Sequence, residues 1–164
     1  MRIVLLLLSI FVVITNSHSQ DLAGHWRWIN NAEDRSFEID LAKPKESDSV
    51  YDLVGEHCGS YYNGGRVDCS EGLSIYLKKE GVNLFTGKIK SSYSGEISEI
   101  RLVYLPEKNQ IRWEVIDAKG QFYFPYDCLL EKSTVTPEPI RETIAVIKKK
   151  IKLKATAIAS SIPA

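Results

Sequence analysis

Polar and apolar residues alternate with a period of two in run after run of this chain, the signature of half-buried strands. Phe37, Ile39 and Leu41 alternate with Ser36, Glu38 and Asp40. The pattern returns at Tyr51, Leu53 and Gly55; at Leu73, Ile75 and Leu77; at Phe85, Gly87 and Ile89; and at Ile100, Leu102 and Tyr104. It recurs again at Ile111, Trp113 and Val115, and last at Phe122 and Phe124. A strand through Trp26 and Trp28 brings the count to eight. The links between runs are short and rich in turn formers: Lys43 to Asp48, Glu80-Gly81, Ser91 to Gly95, Pro106 to Asn109 and Ala118 to Gly120. Short links make successive strands antiparallel neighbours. The expected fold is all-β, an eight-stranded antiparallel up-and-down barrel. Closure removes the unpaired edges that an open sheet leaves. A two-sheet sandwich satisfies the same alternation.

The flanks read differently. Met1-Arg2 precedes an apolar run from Ile3 to Ile14, followed by small polar residues through Ser19. That layout is a secretory signal over residues 1–19, with Ser17 and Ser19 at the small-residue positions before the cut. The run falls short of the ~20 residues a spanning helix needs. A secreted or periplasmic protein is expected. The barrel then occupies 20–132 and a Thr- and Pro-containing linker occupies 133–139. Ile140, Ile144, Ile147 and Ile151 recur at helical spacing, so 140–154 is expected to be a basic amphipathic helix, with 155–164 a frayed tail. Lys148, Lys149, Lys150, Lys152 and Lys154 crowd its second half. Such a helix either packs on the outside of the barrel or makes peripheral contact with an anionic membrane or a partner. Residues 20–132 carry fourteen Lys and Arg against nineteen Asp and Glu, a net of −5, and from Ser133 onward the net is +4. An acidic body does not suggest a nucleic-acid partner.

Asp21-Leu22-Ala23-Gly24-His25-Trp26 resembles the opening strand of the calycins, the group that holds the lipocalin and avidin barrels. The resemblance covers roughly residues 21–132 as a strand pattern and rests residue by residue on Gly24 and Trp26. It implies a barrel whose floor is closed by Trp26. In lipocalins an Arg after the last strand often packs over that Trp; here Glu131-Lys132 stands at the place, and Lys132 can make a weaker cation–π contact.

Between Cys58 and Cys69 lies Gly59-Ser60-Tyr61-Tyr62-Asn63-Gly64-Gly65-Arg66-Val67-Asp68. Asn-Gly favours a type I′ hairpin turn, because both of its central residues need positive φ. With Asn63-Gly64 at the tip, Tyr61 faces Arg66 and Cys58 faces Cys69, which in an oxidising compartment predicts a Cys58–Cys69 disulfide. This register puts the cysteines on a hydrogen-bonded pair, with its wider Cα spacing. Cys128 is left as a buried free thiol or an intermolecular partner.

No nucleophile elbow, zinc-protease helix, phosphate loop or dinucleotide fingerprint occurs in the chain. His25 and His57 read as ordinary strand-end histidines, and no spacing resembles a zinc signature. No catalytic residue, metal or cofactor is expected, and the protein is read as a non-enzymatic binding barrel. The residues expected to face a small, mostly apolar ligand are Trp28, Tyr104, Trp113, Phe122 and Phe124, above Trp26. The alternative is a protein-binding barrel, an enzyme inhibitor or surface-interaction module, acting through Tyr61, Tyr62 and Arg66 on the 58–69 hairpin.

Overall fold

A computed structural model describes residues 21–45 and 49–133. The expected signal, most of the linker, the basic helix and the tail lie outside the described residues. Among the described residues nine strands follow one another: β1 (Gly24–Trp28), β2 (Ser36–Ala42), β3 (Leu53–Tyr61), β4 (Arg66–Cys69), β5 (Ile75–Lys79), β6 (Leu84–Lys90), β7 (Ile97–Leu105), β8 (Gln110–Asp117) and β9 (Asp127–Lys132). Every pairing is antiparallel. β1 pairs with both β2 and β9, and the pairing of β2 with β3 closes an eight-stranded ring. The barrel, not the sandwich, is the answer to the alternation.

β4 stands outside that ring. The lower half of β3 pairs with β5 through Leu53↔Leu77, and its upper half pairs with β4 through Cys58↔Cys69 to Tyr61↔Arg66. The chain between β4 and β5, residues 70–74, bulges out of the ladder. Leu73, which the alternation assigns to the inner face, is instead 54% exposed on that bulge. Tyr51, assigned inward with Leu53, lies before β3 and packs its ring 5.3 Å from the outward Tyr76.

The last strand also differs from expectation. Phe122 and Phe124 belong to no strand; residues 118–126 cross the upper end of the barrel, and β9 begins at Asp127. Pro125 has no N–H to give a ladder, and Gly120 turns at a φ of 61°. Alternation of large rings therefore reads as a strand where the chain is in fact a cap.

Inward side chains fill the ring. Trp26, Phe37, Ile39, Ile75, Leu77, Ile89, Ile100, Leu102, Ile111, Trp113 and Leu130 have no measurable exposure. The two buried tryptophans each tie the ring to a covering segment. Trp26 Nε1 donates to Leu22 O at 2.9 Å at the end where the chain enters, and Trp113 Nε1 donates to Pro125 O at 3.0 Å at the end crossed by 118–126. Lys132 Nζ lies 5.5 Å from the Trp26 ring and donates to Asp21 O at 3.1 Å. The contact expected of Lys132 is thus present, with the ammonium also holding the entering chain.

The hairpin turns at Asn63-Gly64 with the expected register, but through a four-residue loop, 62–65, in which Tyr62 is left-handed as well, and this shifts the hydrogen-bond phase by one pair. Asn63 and Gly64 have φ of 53° and 85°, and Gly65 N–H donates to Tyr62 O at 3.0 Å. Cys58 and Cys69 are bonded, with Cα atoms 3.9 Å apart. That is the close spacing of a non-hydrogen-bonded pair, and Ser70 N–H donates to His57 O one position on. The wider hydrogen-bonded spacing expected from the two-residue turn is corrected. Cys128 is buried, and burial together with Asp127 pushes its thiol up.

Two outcomes follow from this architecture. A Cβ at Gly59 would sit on the carbonyl oxygen of Tyr123. Gly59→Ala is expected to cost about 2–3 kcal/mol in urea denaturation, as overpacking against unyielding backbone does. The disulfide contributes roughly 2–3 kcal/mol, and thiol counting checks it. Unfolded without reductant, the protein titrates a single thiol, that of Cys128; after reduction all three cysteines of the chain titrate.

Candidate functional site: the tyrosine-rich end of the barrel

Four segments meet at the upper end of the barrel: residues 29–35, the hairpin tip, the β6–β7 turn at 91–96, and the crossing 118–126. Each brings aromatic or cationic groups. Tyr61 and Tyr62 stand 6.4 Å apart by ring centroid, Tyr61 and Tyr123 6.1 Å, and Tyr93 meets Tyr123 edge-on at 4.7 Å. The Arg35 guanidinium lies 5.3 Å from the Tyr61 ring. Burial pushes the Tyr61 phenol up, and Arg35 draws it partly back. A second chain of rings runs from Tyr126 to Phe122 at 5.0 Å, then to Phe124 stacked at 4.3 Å, and so down to Trp113.

Exposure is divided between these rings. Tyr62, Tyr93 and Tyr126 face solvent, whereas Tyr61 and Tyr123 are partly buried beneath them. Tyr62 is left-handed at a φ of 57°, a conformation that costs an L-residue roughly 1 kcal/mol. The next residue fixes it there: Asn63 N–H donates to Asp34 O at 3.0 Å, tying the tip to the 29–35 segment. A ring held outward at a backbone cost is the pattern seen where strain serves a site.

Beneath the rings lies a buried carboxylate. Asp68, across from Gly59 on the inner face of β4, is fully buried. It accepts from His57 Nε2 at 3.3 Å, Ser91 Oγ at 2.7 Å, Ser92 N–H at 2.7 Å, and Tyr93 and Tyr123 N–H at 3.2 Å each. One side chain thus holds the β6–β7 turn and the crossing segment against the hairpin. Burial alone would raise its pKa. The hydrogen bonds from His57 and Ser91, the attraction of the imidazole and the Tyr123 N–H outweigh that and hold the carboxyl below its ordinary range. His57 is not at a strand end, as its sequence position suggested. It sits within β3, inside the barrel and fully buried, with Nδ1 2.7 Å from Ser74 Oγ and its ring edge against Phe124. His25 lies on β1, its Nε2 3.3 Å from Glu38.

The residues expected to face an apolar ligand do point inward, but they pack on one another. Trp113 and Phe124 are buried in the core, and Trp28, Tyr104 and Phe122 lie against it. Tyr104 meets Trp26 edge-on at 6.2 Å. Tyr104, Trp113, Phe122 and Phe124 line none of the described clefts; Trp28 borders only an outer one, with Arg27 and Glu131. Of the hairpin residues, Tyr62 and Arg66 are exposed at the tip and Tyr61 joins the ring cluster. Reading the sequence missed Arg35, Tyr93 and Tyr126, which come from loops with no periodicity, and Tyr123, whose place in the alternating 121–124 run reads as the outer side of a strand. It also missed Asp68, which the hairpin register could have placed on the inner face beside Gly59. Among the described residues no group of three or more His, Cys, Asp or Glu could hold a metal ion.

Neither a family model, nor a curated protein, nor a solved structure matches this chain.

The low carboxyl of Asp68 makes a pH prediction. Its folded pKa lies below the ordinary unfolded value of about 3.9, so its contribution is present above that value. It is lost as pH falls through the lower, folded one. Wild-type stability is therefore expected to drop below about pH 4. Asp68→Asn is expected to be less stable at neutral pH by about 3 kcal/mol and to have a flatter acid limb. Urea midpoints between pH 3 and 7 read both.

Proposed function

We propose that this chain is an exported protein-binding barrel that recognises its partner through the tyrosine-rich end. The observation that carries the reading is the set of exposed rings Tyr62, Tyr93 and Tyr126, borne on separate loops yet each fixed: Tyr93 by its N–H to Asp68, Tyr62 by the Asn63 bond to Asp34 on the disulfide-stapled hairpin, and Tyr126 by Val115 N–H to its carbonyl. Tyrosine offers a large amphipathic contact at little entropic cost, and a platform ordered before binding loses less on association. Arg35 and Arg66 flank the rings, and tyrosine and arginine are the residues in which binding energy concentrates. Export agrees with the disulfide, since such bonds persist in oxidising compartments. The packed interior weighs against an apolar ligand held within the ring. The calycin likeness remains one of strand pattern and the Trp26 position.

A second reading has its own observation. A cleft of about 740 Å³ lies outside the barrel, where Val50, Tyr51, Val54, Leu73 and Tyr76 gather beside Lys43 and Lys45. If the protein carries a small apolar ligand, this outer groove is where it sits.

Captured from the fluid into which the protein is exported, a partner should be held by the wild type and lost by the triple variant Tyr62→Ala, Tyr93→Ala, Tyr126→Ala. Tyr62→Ala alone is expected to weaken binding by about 2 kcal/mol, roughly 30-fold. Melting should change little, because the three rings already face water. Equal retention of the partner by wild type and triple variant would remove the reading. A saturable change in tryptophan fluorescence with apolar ligands, unaffected by the triple variant, would favour the groove.

A further inference from the structure

We propose that Ser74, His57 and Asp68 form a nucleophilic triad at the floor of a seam in the barrel, and that it hydrolyses small carboxylic esters. The seam exists because β4 is left out of the ring. β4 pairs only with β3, so a cleft of about 570 Å³ opens between the 70–74 bulge and the β6–β7 turn. Ser70, Ser74, Ser91, Ser92 and Lys90 line it.

The hydrogen-bond order around His57 sets the chemistry. Asp68 is an ionised acceptor, so the imidazole proton is on Nε2, which faces it at 3.3 Å. When the imidazole is neutral, Nδ1 is bare and accepts from the Ser74 hydroxyl, whose oxygen lies 2.7 Å away. This is the hydrogen-bond logic of an activated nucleophile: a hydroxyl aimed at a base, and the base oriented by a third group. Asp68 cannot turn away, because Ser91, Ser92, Tyr93 and Tyr123 hold its oxygens. Ser74 is 4% exposed at the cleft floor, with its backbone fixed by Ser74 N–H to Gly55 O and Lys90 N–H to Ser74 O.

The reaction balances with water as the only co-reactant. Ser74 Oγ bonds to the ester carbonyl carbon while its proton passes to His57 Nδ1. The tetrahedral adduct expels the alcohol, which takes the proton from Nδ1, and an acyl-serine remains. Water attacks that acyl carbon, gives a proton to Nδ1, and releases the acid as Ser74 recovers its hydrogen. Asp68 is the positioning residue throughout.

The full chain is treated with a fluorophosphonate and, separately, with p-nitrophenyl acetate. The expected result is an adduct mapped by peptide mass to Ser74 in the folded protein and absent after unfolding in urea. Ester turnover should fall at least about 100-fold in Ser74→Ala, while Ser36→Ala, exposed on β2 and outside the cleft, retains it. No adduct at Ser74, equal labelling of folded and unfolded chain, or unchanged turnover in Ser74→Ala would each overturn the proposal. The adduct map needs no variant, so a poorly folding Ser74→Ala does not blunt the test. Partner capture by the tyrosine end is independent of all these readouts.

Discussion

The upper half of this barrel depends on one buried carboxylate. An ionised Asp68 removed from water would cost several kcal/mol if left alone. It is tolerated because donors from three separated parts of the chain converge on it: His57 from β3, residues 91–93 from the β6–β7 turn, and Tyr123 from the crossing segment. The crossing segment has no ladder of its own, and the β6–β7 turn, closed by Ser91 N–H to Glu96 O, leaves the N–H groups of Ser92 and Tyr93 to find another acceptor. Asp68 is that acceptor. The rings of Tyr93 and Tyr123 keep their 4.7 Å edge-on contact because their own N–H groups share this anchor.

The interior answers a different constraint. Eight-stranded rings have room either for their own side chains or for one small ligand, and here the two tryptophans take up that room. Trp26 and Trp113 each bury a large ring, satisfy the indole N–H on a carbonyl from a covering segment, and so close opposite ends. Phe37 adds to the packing at 5.0 Å from Trp113. A barrel plugged in this way leaves its loops and seams, not its interior, to carry any recognition chemistry. The departure of β4 from the ring creates the seam. The disulfide fastens β4 to β3 beside it, so the gap between β4 and the β6–β7 turn stays open without β4 peeling off.

Local rules carried far in this sequence, and their failures have physical causes. Period-two alternation located the ring strands, because one face of each is buried against a common interior. Asn63-Gly64 set the hairpin register and with it the Cys58–Cys69 pair. The same rule failed at Phe122 and Phe124, where rings two apart plug the barrel end from a loop, and at Leu73, where the bulge resets the phase. The tyrosine surface was legible only at Tyr61, Tyr62 and Arg66, since a turn motif fixes those in space. Tyr93, Tyr123 and Tyr126 reach the same end only through the fold. His57 and Asp68 lie eleven residues apart with a turn between them, and their approach at 3.3 Å follows from register, not from any motif spacing.

Asp68 also binds the two candidate activities together. By holding residues 91–93 and 123 it orders the tyrosine platform, and by accepting from His57 Nε2 it leaves Nδ1 free for Ser74. Loss of this carboxylate would therefore disturb loop order and serine chemistry at once, and no measurement on such a variant could assign either role. The outward rings and the Ser74 hydroxyl are the separable ends of the cluster. Tyr62 touches Tyr61 and solvent, and its removal leaves the His57 hydrogen bonds intact. Removing the Ser74 hydroxyl empties one bond to Nδ1 and leaves every donor to Asp68 in place. If the two ends prove to respond to each other, the coupling has two routes: along β3 from Tyr61 to His57, and through the loops that Asp68 gathers.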